Sequence, residues 1–256
     1  MREQYKDGCN LSARMRLHRR FSVNKYGIFR WIFDHYSMPQ SARVLEIGSG
    51  TGQLWKSNAD RIPAGWRIVL ADFSPGILRE GLIELRGLDR RFDALAADAQ
   101  SQPFADRVFD AAVANFMLYH VPDIPRALRE IRRVLRPGTR LFAATMSTGN
   151  MRELDEIVRR FIPRATIGAA PARFGLDNGF ELLADAFANV TLERYPDALV
   201  VTEAAPVMDY IESMPRMAGR GSAEEKLAMR QYLEGEIAAR GSITISKDNG
   251  LLVATV

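Results

Sequence analysis

The sequence predicts an α/β protein, a mostly parallel sheet with helices on both faces. Three observations carry this. Short apolar runs at Val44–Ile47, Ile68–Ala71, Ala111–Ala114 and Leu141–Thr145 alternate with amphipathic stretches, the rhythm of strands joined by crossover helices. In the clearest of those stretches, Ile124, Ala127, Leu128, Ile131, Val134 and Leu135 form one apolar stripe at helical spacing. The first strand runs straight into a glycine-rich turn, Gly48-Ser-Gly-Thr-Gly52. In sheets of this kind ligands bind beyond the carboxyl ends of the strands, so the informative residues are those at which each strand stops.

Taken in order, residues 1 to about 40 read as helical. Ile28, Phe29, Ile32, Phe33 and Tyr36 recur at helical spacing, and Pro39 ends the pattern. A weaker strand precedes Asp98, and Pro137-Gly138 stops the helix that begins at Ile124. After Thr145 the rhythm changes. A helical pattern through Leu154, Ile157, Val158 and Phe161 gives way to a loop rich in Ala, Pro and Gly. A helix near Phe180–Phe187 and a strand near Val190–Arg194 follow, and residues 203–240 are again helical. The closing segment Ile243–Val256 reads as a hairpin turning at Asp248-Asn249-Gly250, or as one strand broken there. With no repeat and no convincing linker, the expectation is one domain over 1–256. Residues 1–40 form a helical lid, 41–147 a ligand-binding core, and 148–256 the helical insertions and final strands.

Composition narrows the class. The chain has 256 residues, 47% hydrophobic and 26% charged, enough for one well-buried α/β domain with a subsidiary layer. One cysteine, Cys9, rules out an internal disulfide framework, and three histidines leave little material for a metal centre. No metal site is therefore expected. The polar opening MREQYKDGCN precedes no signal-like apolar core, and the longest apolar stretch, around Ala111 to Leu118, is too short to span a bilayer. A cytoplasmic setting follows as an expectation. The formal charge of +4 would suit an anionic partner such as nucleic acid. However, Arg126, Arg129, Arg132, Arg133 and Arg136 fall on the polar face of the helix from Ile124, and a solvated face explains them.

The strongest motif is Val44-Leu-Glu-Ile-Gly-Ser-Gly-Thr-Gly52. Its glycines permit a sharp turn and a close backbone approach to a ligand. Dinucleotide-binding turns are spaced G-x-G-x-x-G; here the third position is Gln53 and Gly52 comes one residue early. Glu46, two residues before Gly48, is ill placed beside a phosphate and well placed beside an ammonium and a sulfonium. The second strand ends at Asp72, whose carboxylate can accept both hydroxyls of a ribose. Phe73 follows, suited to an adenine face. Asp98-Ala99 closes the third strand, where a carboxylate can accept from the adenine amino group. Asn115-Phe116 closes the fourth, at the edge left for an amino-acid portion. Aspartate after a strand is also a common turn or cap residue. Four such positions behind one glycine turn argue for a site.

On VLEIGSGTG, LADFSPGIL, AADAQSQPFADRVFDAAVANFMLYHV and ALREIRRVLRPGTRLFAA, the segment Val44–Ser147 resembles class I S-adenosylmethionine-dependent methyltransferases, in the branch that includes ubiquinone and menaquinone C-methyltransferases. The resemblance implies a Rossmann-like seven-stranded sheet, with Ile243–Val256 matching the last strands. It also implies S-adenosylmethionine as cofactor and S-adenosylhomocysteine as product. Glu46, Gly48, Ser49 and Gly50 would line the methionine end; Asp72 and Phe73 would hold ribose and adenine, and Asp98 and Ala99 would meet the adenine edge. The acceptor is expected to be a small molecule.

Methyl transfer from a sulfonium needs alignment and water exclusion more than acid–base work. A base is required only where the acceptor must lose a proton. His120, beyond the fourth strand, is the candidate, with loop packing as its plain alternative. Tyr26, at a break between helices, is a second, and Tyr5 and Trp31 group with it, Trp31 with core packing as its plainer role. Met208, Tyr210, Met214, Met217 and Met229 suit either an adaptable acceptor pocket or an irregular core. Three rivals remain. A nicotinamide-dependent oxidoreductase lacks support in the glycine spacing and in any Tyr-x-x-x-Lys pair. A methyltransferase acting on RNA, DNA or protein lacks an Asn/Asp-Pro-Pro-aromatic motif and a nearby cysteine. A non-catalytic cofactor-binding protein is the third.

Overall fold

The structure of the chain, a computed structural model, describes residues 8–167 and 172–256. The chain divides into two compact units. One comprises Tyr26–Thr148, Ala170–Tyr195 and Asn249–Val256; the other comprises the N-terminal region to Lys25, Gly149–Ala169 and Pro196–Asp248.

The elements run α1 (Gly8–Phe21), α2 (Ile28–Asp34), β1 (Arg43–Ile47), α3 (Gln53–Ser57), β2 (Arg67–Asp72), α4 (Pro75–Glu84), β3 (Phe92–Ala96), β4 (Phe109–Val113), α5 (Ile124–Val134), β5 (Leu135–Met146), α6 (Arg152–Phe161), α7 (Gly179–Ala184), β6 (Ala188–Val201), α8 (Ala204–Ser213), α9 (Ala223–Arg240) and β7 (Ile243–Thr255). The seven strands form one sheet in the order β3-β2-β1-β4-β5-β7-β6. β1 pairs in parallel with β2 and β4, β2 with β3, and β4 with β5, while β7 runs antiparallel to β5. The order reverses at β1, between β2 and β4, and in sheets of this kind the carboxyl ends of the strands at such a point are where ligands bind.

The first unit has an apolar cluster on each side of that sheet. Leu45, Ile47, Ala112 and Ala114 pack with Leu128 and Ile131 of α5 on one side. Val44, Ile68, Leu70 and Val113 pack with Trp55, Trp66 and Phe142 on the other. Alternation along β1 puts successive side chains into different clusters, and each fully buried Leu, Ile or Phe contributes roughly 1.5–3 kcal/mol. The helices open where the sequence offers caps. Ser74 accepts from the Ile77 N–H before Pro75, and Asp123 accepts from the Arg126 N–H before Ile124 and Pro125.

The second unit is mainly helical. Leu17 and Phe21 of α1, Leu154 and Val158 of α6, Val207, Met208 and Ile211 of α8, and Met229 and Leu233 of α9 share one core. Met208, Met217 and Met229 are buried there and Met214 packs against it; the methionines fill the core of this unit. Its interior also holds an ion pair, Lys247 Nζ to Asp197 at 2.6 Å, with the Ser22 hydroxyl donating to the same carboxylate. Burial first, and then the Lys247 charge, depress the His18 imidazole to about 3.

The break expected around Tyr26 is present, between the end of α1 at Phe21 and the start of α2 at Ile28, where Ser22 and Asn24 bond to Asp197 rather than continuing the turn. Other local expectations change. α5 stops at Val134, so Arg136 lies on β5 and pairs with Asp110. Of the α5 arginines, Arg126, Arg129 and Arg132 are exposed, as a solvated face requires, and Arg133 is partly buried. Arg133 binds Glu130 and Asp106 and the carbonyls of Gln102 and Phe104, and Arg126 binds the Gln100 carbonyl. The segment Ile243–Thr255 is one strand, not a hairpin: Asn249 and Gly250 pair with Met146 and Thr145 in continuous register. Tyr5 lies outside the described residues. Among those residues no helix is long and apolar enough to cross a membrane.

Candidate cofactor site

β1 runs into three left-handed glycines at alternate positions, Gly48, Gly50 and Gly52, at φ 66, 55 and 72°. Their backbone amides close the turn onto β2. The N–H groups of Gly48 and Ser49 both donate to the Ala71 carbonyl, at 2.7 and 3.1 Å. The Gly50 N–H donates to Asp72 Oδ2 at 2.9 Å, and Asp72 Oδ1 accepts from the Ser74 N–H at 2.9 Å. Asp72 therefore ties the glycine turn to the start of α4. Each carboxylate oxygen has accepted one bond and has capacity for another.

The three glycines are not equivalent. A Cβ on Gly48 would come within 2.7 Å of Met117 Cβ, and one on Gly52 within 2.8 Å of Leu85 Cδ1. A Cβ on Gly50 would meet no protein atom within 4 Å. The first and third glycines serve the packing of the turn, whereas the second faces open space. Phe73, one residue past Asp72, is 58% exposed, a large apolar face at a strand end with little to cover it.

Behind the turn lies Glu46, 3% exposed. The Trp55 indole N–H donates to its Oε2 at 2.6 Å. Burial dominates its titration: desolvation lifts the carboxyl to about 8 against the pull of the indole, and the Asp72 charge adds to the rise. Beside it is Tyr36, which accepts a hydrogen bond from Asn115 Nδ2 at 3.5 Å and packs on Phe142 at 4.8 Å between ring centres. Burial raises the Tyr36 phenol well above its usual range, with the Glu46 charge contributing to the rise. Two buried polar atoms near the turn find no partner, Ser49 Oγ and Asn115 Oδ1.

The remaining candidates are placed as follows. Asp98 lies two residues beyond the end of β3, where its carboxylate accepts from the backbone and side-chain amides of Gln100; Ala99 next to it is buried. Phe116, after β4, is a non-glycine residue at φ 55°, and its N–H still reaches the Ala144 carbonyl. Its ring meets Phe29 edge-on at 6.5 Å. His120 ends a short 3₁₀ turn, Leu118–His120, with its ring 4.5 Å from that of Tyr119. Tyr26 is exposed; its hydroxyl donates to Asp34 and is approached by Arg61. Glu46, Asp72, Asn115 and the glycines thus converge at the ends of β1, β2 and β4. Tyr36 joins them without having been singled out, because its spacing from Ile32 and Phe33 absorbed it into a helical stripe; α2 in fact stops at Asp34. Among the described residues, no group of three or more His, Cys, Asp or Glu side chains could hold a metal ion.

Strand order and site together define an α/β protein with a glycine turn and two carboxyl groups, Glu46 and Asp72, at the ends of its central parallel strands. The comparisons narrow this further. A family model described as a methyltransferase domain matches residues 45–143. The demethylmenaquinone methyltransferase of Clavibacter sepedonicus is 32% identical over 184 residues, 72% of this chain and 67% of that protein. The ubiquinone/menaquinone biosynthesis C-methyltransferase of Hahella chejuensis is 35% identical over 134 residues, 52% of this chain and 50% of its own length. The chain spans about half to two thirds of the length of the curated relatives it matches. Among solved structures, the YcgJ protein of Bacillus subtilis superposes with a TM-score of 0.59 at 16% identity, over 89% of this chain and 97% of that one; that likeness is of fold alone. The chain belongs to the class I S-adenosylmethionine-dependent methyltransferase family.

The residues present fit the family's cofactor. Gly50 leaves a cradle that a side chain would fill, Ser49 and Asn115 offer unpartnered buried polar atoms, and Phe73 exposes an aromatic face.

Proposed function

We propose that the protein transfers a methyl group from S-adenosylmethionine to a small-molecule acceptor, a quinone-type ring of the kind named for its relatives, and does so in the cytoplasm. The observation that carries the reading is the glycine turn locked onto Asp72, with Glu46 buried behind it and Phe73 exposed beside it. A pyrophosphate is poorly served next to the Asp72 carboxylate, whereas a cationic ligand is well served there and would also favour the charged form of Glu46.

The cofactor supplies a methyl group on a positively charged sulfur, an already activated leaving group. Asp72 holds the ribose hydroxyls with its spare lone pairs, and Phe73 covers the adenine. Asp98 and Ala99 meet the adenine edge. Glu46, Gly48, Ser49, Gly50, Gly52, Asn115 and Phe116 hold the amino-acid end. An acceptor carbon, oxygen or nitrogen that bears a proton would have to release it on receiving the methyl group. His120 is the residue proposed to take that proton, and Tyr26 is a second polar group proposed to act toward the acceptor.

S-adenosylhomocysteine is expected to raise the melting temperature of the purified protein while NAD leaves it unchanged; the reverse overturns the reading. Asp72→Ala is expected to weaken S-adenosylhomocysteine binding by about 1–3 kcal/mol, read by calorimetry, and an unaltered Kd would remove Asp72 from the site. The acceptor class is tested by following a labelled methyl group into a reduced demethylated naphthoquinone.

A further inference from the structure

We propose that Tyr36 is a cofactor-selecting residue: its hydroxyl donates to the carboxylate of the cofactor's amino-acid end while the Asn115 side-chain oxygen accepts from the adjoining ammonium. The inference rests on the methyltransferase reading and deepens it.

Hydrogen-bond accounting around Tyr36 supports it. The Tyr36 oxygen accepts from Asn115 Nδ2 at 3.5 Å, which turns the Tyr36 proton away from Asn115. That proton has no acceptor among the described residues, although burial governs the titration of the phenol. Asn115, having given its amide N–H to Tyr36, is left with a buried Oδ1 that nothing donates to. The pair thus presents one unused donor and one unused acceptor side by side. Leaving buried polar groups unmade costs about 1–3 kcal/mol each, so such pairs mark a missing partner. The partner must offer an acceptor and a donor a few ångströms apart, which is the pattern of an α-amino acid zwitterion.

The surroundings fix its direction. Glu46 is close enough to Tyr36 for its charge to influence the phenol, and so favours the ammonium on its own side and the carboxylate toward the hydroxyl. The site is held rigidly. Tyr36 is wedged between Phe33, at 5.4 Å, and Phe142, at 4.8 Å. Asn115 sits between the Ala114 and Phe116 N–H groups, which bond to Phe142 and Ala144 of β5. A preset donor and acceptor lose little freedom when the ligand arrives.

The experiment is a calorimetric comparison of three ligands on the wild-type protein and on Tyr36→Phe. The ligands are S-adenosylhomocysteine, its decarboxylated analogue 5′-deoxy-5′-(3-aminopropylthio)adenosine, and 5′-methylthioadenosine, which lacks the amino-acid end. The wild type is expected to bind S-adenosylhomocysteine at least about tenfold more tightly than the decarboxylated analogue, the value of one hydrogen bond to a charged group. Tyr36→Phe keeps the ring and its packing. It should lose about that factor for S-adenosylhomocysteine and bind the other two ligands as the wild type does. Equal losses for all three ligands, or none, would overturn the assignment. If the variant lacks a cooperative melt, the wild-type comparison decides alone, and equal affinity for the carboxylated and decarboxylated ligands refutes the role of Tyr36. Failure of the wild type to bind any of the three would instead overturn the cofactor reading itself.

Discussion

Gly50→Val leaves a folded protein that no longer binds S-adenosylhomocysteine. The residue sits at φ 55°, where a β-branched side chain costs roughly 1–2 kcal/mol. A chain of this size then melts a few degrees lower. No protein atom lies within 4 Å of the new Cβ, so the fold meets no clash and the added methyls stand where the ligand backbone must pass. The Gly50 N–H to Asp72 is retained in the variant. Gly48 behaves differently. There even alanine collides with Met117 Cβ, and the loss would appear first as instability. Calorimetry and a thermal melt on the two variants separate these effects, and a normal Kd for Gly50→Val would refute the site.

The ligand-free protein loses stability as the pH rises from about 6.5 to about 8, and Glu46→Gln flattens that slope; below 6.5 the His18 imidazole, depressed to about 3, acts in the opposite direction. Burial lifts the Glu46 carboxyl from 4.5 to about 8. A group with a raised folded pKa favours folding fully below its unfolded value. The advantage falls as pH climbs between the two values and is constant above the higher one. At about 1.4 kcal/mol per unit, the loss amounts to a few kcal/mol. The groups around Glu46 are the Trp55 indole, which partly offsets the rise, and the Asp72 carboxylate, which adds to it; Tyr36 stays neutral across this range. An arriving ammonium stabilises the charged form, so S-adenosylhomocysteine binding at pH 7 releases a proton. Urea titrations at pH 6.5 and 8 test the first claim. Calorimetry in buffers of different ionisation enthalpy tests the second, and identical slopes for wild type and Glu46→Gln would remove Glu46 as the source.

Much of this was legible in the residues. The apolar runs at Val44, Ile68, Ala111 and Leu141 all became strands of the parallel core, because strands buried on both faces need continuous apolar sequence. Gly48, Gly50 and Asp72 met as expected, since glycine spacing and strand-end acids report backbone geometry directly. What escaped depends on contacts distant in sequence. Nothing near Tyr36 says that Asn115, 79 residues later, holds its hydroxyl. Likewise the Asp248-Asn249-Gly250 turn signal was overridden by pairing with Met146 and Thr145, where tertiary hydrogen bonds outweigh local preference. The division of the helical segments into their own unit is set by packing among α1, α6, α8 and α9, which periodicity alone cannot pair.

Phe116 carries a cost that a purely structural residue would shed. An aromatic in the left-handed region forfeits backbone energy, and glycine would relieve it. Yet the ring is anchored against Phe29 and the amide against β5. A campaign to toughen this protein would be drawn to that position first, and each degree won there would come out of the stiffness with which the neighbouring Asn115 is presented.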